Sequence, residues 1–207
     1  MISMTAALLL SGLAAAQAFS PADFDRGAPA PGAILRELAA SAAAMPGVPG
    51  QAVPELPPGT KKEYLKPFRA AFLNAIGRLR APQCGAFYGE GAQGRLEGAS
   101  YRFMGLGKPH LNAQGLVTVV GASTFADGPP PAMVFINAEG PFLYQSMLVA
   151  GKSGFQTVDM GTGLRGADFG ALILLHELGH VVGKFGPDAA DSALNRSYTD
   201  LVLKNCF

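Results

Sequence analysis

Apolar side chains recur at helical spacing in KPFRAAFLNAIGRLRAPQC, where Phe68, Phe72, Ile76 and Leu79 form a core-facing stripe. Pro67 suits a first turn and Pro82 marks the end, so one amphipathic helix is expected, closing near Cys84. Four β-like runs follow, ASYRFMGL, GLVTVVGAS, AMVFINA and FQTVDM, separated by turns such as DGPPP and AEGPF. The segment GADFGALILLHELGHVVG differs in kind: from Phe169 to Gly183 its only strongly polar side chains are His176, Glu177 and His180. A helix that is apolar on every side is a buried one, and Asp168 stands where its N-cap is expected. A final helix is predicted over DAADSALNRSYTDLVLKNCF, with Asp191, Asn195 and Tyr198 along one face and Leu194, Leu201 and Val202 available to bury another. Helix, strands, then helices is an α+β order. The expectation is a small, mainly antiparallel sheet packed on the buried helix, with a backing helix and a C-terminal helix.

Composition sets the surroundings. Residues 1–18 read as a signal peptide: an apolar core from Ala6 to Ala15 precedes Ala16-Gln17-Ala18, with the cut expected after Ala18. Residues 19–60 have the composition of a Pro/Ala-rich linker or pro-segment, which cannot build a core alone. Residues 61–207 are then the folded domain, and a chain of 207 residues supports one sizeable core. The net charge of +1 is dispersed, which leaves no electrostatic footprint for nucleic acid. No later run reaches the roughly 20 apolar residues of a membrane span. A polypeptide or small-molecule partner and a secreted or periplasmic location are expected, and in an exported chain Cys84 and Cys206 are expected to pair.

Two imidazoles and a carboxylate left unpaired in a core would cost several kcal/mol in total, so partners or a metal must meet them. His176 and His180, one turn apart, share a face and can bind one ion, for which Zn2+ is suited. Glu177, one position along, lies outside the coordination shell, where a carboxylate can take a proton from water.

HELGH is an H-E-x-x-H pattern, and here the chain resembles the zincin superfamily of zinc metallopeptidases. The resemblance implies zinc ligands at His176 and His180, a general base at Glu177, and hydrolysis of a polypeptide substrate. Gly183 matches the glycine of the metzincin extension, but Gly186 occupies its next ligand position and no methionine follows Met160. Asp188 is the expected third ligand, since five residues after Gly183 span up to roughly 16 Å. Asp188 equally suits the N-cap of the last helix. Asp191 is the alternative ligand in a gluzincin-like arrangement, while Asp200 has the thermolysin-type spacing without its surrounding signature. Tyr144 and Tyr198 are candidates to stabilise an oxyanion. VFINAEGPF is a candidate edge strand for extended substrate, its Asn137-Ala138 echoing a thermolysin-like pair, and His110 is expected to face solvent. The ending from His176 to Phe207 is also similar to a group of uncharacterised exported bacterial zincin-like proteins. Two function classes follow: a secreted zinc metallopeptidase, or a noncatalytic zincin-like envelope protein that binds metal or a partner.

Overall fold

The computed structural model describes residues 53–108, 110–111, 117–126, 131–144, 146–151, 154–159, 162–188 and 192–207. The expected signal peptide, most of the linker and Asp191 lie outside them. In chain order the described elements are α1 (Lys62–Leu79), α2 (Pro82–Tyr88), α3 (Ala92–Gly98), β1 (Ser100–Met104), β2 (His110–Leu111), β3 (Val117–Thr118), β4 (Ala122–Phe125), β5 (Met133–Asn137), β6 (Ser146–Gly151), β7 (Gly154–Asp159), α4 (Gly166–Val181) and α5 (Ser192–Cys206). The architecture is α+β.

Helix α1 buries the predicted stripe of Phe68, Phe72, Ile76 and Leu79. It stops at Leu79 rather than near Cys84, with Pro67 inside it, and Pro82 opens α2 instead. A proline is favoured at a first helical position because its missing N–H would have no partner there. Against α1 lies α4, and the two backbones approach closely: a Cβ placed on Gly170 would stand 2.6 Å from Cβ of Ala71. Phe169, Leu172, Ile173, Leu174 and Leu175 of α4 are fully buried, as a helix without a polar face requires. Asp168 is not the N-cap. That position falls on Arg165, and Asp168, in the first turn, accepts hydrogen bonds from Asn74 Nδ2 (2.8 Å) and Arg78 Nη2 (2.7 Å) of α1.

A mainly antiparallel sheet is the expectation; the three-stranded sheet is mixed. β5 is central; β1 runs parallel to it with Ser100 opposite Met133, and β4 runs antiparallel with Ala122 opposite Ile136. The stretch between β1 and β5 is long enough for the crossover that a parallel pair needs. β2–β3 and β6–β7 form two further antiparallel ribbons. VFINAEGPF therefore supplies the central strand, and β4 takes an edge. Asn137 is fully buried and serves backbone: its Nδ2 donates to the carbonyls of Gly107 and Val120, and its Oδ1 accepts from the amides of Leu106 and Glu139.

Cys84 on α2 and Cys206 on α5 form a disulfide. Arg78 Nη1 adds a hydrogen bond to the Cys206 carbonyl at 2.7 Å, and Gln83 Nε2 one to that of Lys204 at 3.2 Å. The inner face of α5 is thereby the one holding Asn195, Thr199, Val202 and Cys206, all buried, while Asp200 and Leu201 face outward. Leu201 does not bury a face, as its hydrophobicity alone suggested.

Candidate metal centre

His176 and His180 lie within the buried stretch of α4, four residues apart, and their Nε2 atoms stand 3.3 Å from one another. The helix ends one residue later, at Val181. Gly183 adopts a φ of 71°, a conformation that favours glycine, and the amides of Lys184 and Phe185 both fold back onto the Gly179 carbonyl at 2.8 and 3.0 Å. The reversal carries the chain to Asp188, whose Oδ2 lies 3.2 Å from His176 Nε2 and 3.6 Å from His180 Nε2. Asp188 is buried, and with the two imidazoles it forms a group that could hold a metal ion.

These three atoms make a triangle with sides of 3.2, 3.3 and 3.6 Å. A tetrahedral ion bound at about 2.0–2.1 Å separates its ligands by about 3.3–3.4 Å, so one small divalent ion fits the triangle. The chemistry of the donors agrees. Three lone pairs aimed at one point repel unless a cation or a proton lies between them. Among the described residues no fourth His, Cys or acidic group joins the three.

The charges respond to this crowding. Burial works against the charge on Asp188, but the hydrogen bonds and charges of His176 and His180 outweigh it and hold the carboxyl well below the usual range. Burial likewise opposes charge on His180; its hydrogen bond to Asp188 and the charges of Glu177 and Asp188 overcome that and raise the imidazole.

Glu177 is also fully buried. Its Oε2 accepts a hydrogen bond from Thr124 Oγ1 of β4 at 2.6 Å, whereas Oε1 has no hydrogen-bond partner among the described residues. Burial pushes its carboxyl up, with the charges of His176 and His180 and the Thr124 hydroxyl pulling the other way. Two side chains of α5 complete the surroundings. Thr199 Oγ1 lies 3.1 Å from His176 Nδ1, and Asn195 Nδ2 donates to Asp188 Oδ2 at 2.9 Å.

Phe185 walls the site, its ring centroid 5.6 Å from that of His176 and 5.7 Å from that of His180. Tyr198 stacks on Phe185 at 4.4 Å, and its hydroxyl accepts from the Gly186 amide at 3.3 Å, so it braces the wall. Tyr144 is 41% exposed on the surface. The His110 backbone pairs with Thr118, and its side chain falls outside the description. Sequence reasoning missed Thr124 and Thr199. A threonine in a strand or on a helix face has no signature of its own, although Thr199 follows Asn195 by one helical turn. No protein-family model, no curated protein and no solved structure matches this chain.

Proposed function

We propose that this chain is a zinc-dependent metallopeptidase working outside the cytoplasm. The observation that carries the reading is the convergence of His176 Nε2, His180 Nε2 and Asp188 Oδ2 beside a buried carboxylate with a free oxygen, Glu177 Oε1. Two imidazoles and one carboxylate with a position to spare is the donor pattern of catalytic zinc. When bound, zinc supplies Lewis-acid polarisation of water and of a peptide carbonyl. The chain's own residues handle the protons. Glu177 Oε1 takes a proton from the attacking water and delivers it to the nitrogen of the departing amine, which suits a carboxyl raised by burial. Thr124 keeps Oε2 occupied, so that Oε1 is the oxygen left for this transfer. The disulfide belongs to an oxidising compartment, and no described helix is long and apolar enough to cross a membrane. Both features fit a secreted or periplasmic chain.

One observation favours a second reading, a zincin-like protein that holds metal without turnover. His176 and Glu177 have no exposed surface, and His180 has 3%, so a polypeptide reaches them only if the side chains that cover them move. Metal analysis of the purified mature chain, combined with cleavage of a peptide library by wild type and Glu177→Gln, separates the two. Zinc with cleavage by wild type alone supports the peptidase; zinc without cleavage by either supports the noncatalytic reading. Absence of metal overturns both.

A further inference from the structure

Helix α5 carries none of the three ligands, yet it touches two of them. Asn195 and Thr199 are one turn apart on its inner face, are 1% and 3% exposed, and reach Asp188 and His176 respectively. The same face continues through Val202, fully buried, to Cys206, where the disulfide, Arg78 and Gln83 fasten the helix end to α1 and α2. We infer that α5 is the positioning element of the metal centre, Thr199 orienting His176, Asn195 orienting Asp188, and the fastened end holding both at working distance. The inference rests on the metal reading above.

The hydrogen-bond inventory makes Thr199 specific. A neutral imidazole has one N–H and one lone pair, so with Nε2 directed into the ligand triangle the proton sits on Nδ1. Nδ1–H then donates to Thr199 Oγ1, which selects the tautomer that coordinates and restrains rotation of the ring. A methyl group in place of the hydroxyl offers no acceptor, and burial at this point leaves little room for water to replace it. Asn195 acts on the other side. Its Nδ2–H donates to the carboxylate oxygen nearest both imidazoles, which holds that oxygen in the triangle. A 15-residue helix is marginal alone in water, so its tertiary fastening is what makes two such contacts reliable.

The test measures zinc affinity of the mature, disulfide-intact chain by competition with a chromophoric chelator, for wild type, Thr199→Val, Thr199→Ser and Asn195→Ala. Loss of such supporting contacts costs about ten- to a hundredfold in metal affinity. Thr199→Val is expected to weaken zinc by that factor, Thr199→Ser to restore it to near wild type, and Asn195→Ala to weaken it independently. Serine keeps the acceptor and discards the methyl, so its rescue separates orientation from packing. If Thr199→Val and Asn195→Ala bind zinc as wild type does, or if Thr199→Ser is as weak as Thr199→Val, the inference is wrong while the metal site stands. A wild-type chain that takes up no zinc removes the metal reading itself and this inference with it.

Discussion

Thr124 and Glu177, 53 positions apart in the chain, meet in a 2.6 Å hydrogen bond in which both side chains are fully buried. Thr124→Val leaves a buried carboxylate oxygen without its donor. A loss of about 1–3 kcal/mol in folding stability is expected, seen as a lower denaturant midpoint at unchanged slope. Thr124→Ser should recover most of it. Equal midpoints for valine and wild type would show that the hydrogen bond contributes nothing net.

Gly179 sits between the two histidines because a side chain there has no space. A Cβ would stand 2.1 Å from Cδ2 of Phe185, whose ring is held by its stack with Tyr198. Replacing an interior helical glycine with alanine ordinarily gains about 1 kcal/mol, whereas overpacking of this kind costs about 1–3 kcal/mol. Gly179→Ala should therefore lower the thermal midpoint, and Phe185→Leu in the same chain should offset part of the loss. A rise in midpoint on the single change would mean that Phe185 moves aside at little cost.

The metal-free chain should be most stable in mildly acidic solution as far as the Asp188–His180 pair is concerned. A lowered carboxyl contributes stability above its ordinary value of about 3.9 and loses it as pH falls; a raised imidazole contributes fully below about 6.5 and loses it as pH rises. Both contributions are present between roughly pH 4 and 6.5. The raised carboxyl of Glu177 works in the opposite sense to Asp188, costing stability as pH rises past the ordinary glutamate value, so the measurement belongs in a Glu177→Gln background. There, Asp188→Asn should flatten the profile of unfolding free energy against pH. An unchanged profile would dissociate the pair from stability.

Zinc should stabilise the fold by mass action. Free zinc at a thousand times its dissociation constant adds about 4 kcal/mol, reversed by a chelator, and Asp188→Asn should lose most of the gain at the same zinc concentration. A thermal midpoint indifferent to zinc in the wild type would count against the site.

The Cys84–Cys206 disulfide spans a separation of 122 residues, and closing a loop of that size is worth about 4–5 kcal/mol in the chain-entropy model. Cys84→Ser with Cys206→Ser should unfold at correspondingly lower denaturant. Thiol titration of the denatured, unreduced wild type should find none free, and two titratable thiols would refute the bridge.

Sequence alone determined the chemistry that lies close together along the chain. His176, Glu177 and His180 stand out because an otherwise unbroken apolar helix cannot hold three polar groups without a purpose, and the four-residue spacing puts both imidazoles on one face. Asp188 was within reach of the same reasoning, since a glycine that ends the helix and a proline that prevents its continuation leave only a short return. The pairing of the two cysteines follows from their number. Tertiary structure alone decided the rest: the parallel pairing of β1 with β5, the central place of the strand expected at the edge, and the choice of Asn195, Thr199 and Val202 rather than Leu201 as the inner face of α5. Thr124 and Thr199 belong to that second group. Each meets its partner across 53 and 23 positions of chain, and such contacts depend on strand register and helix rotation, which are set by packing against elements elsewhere rather than by local spacing.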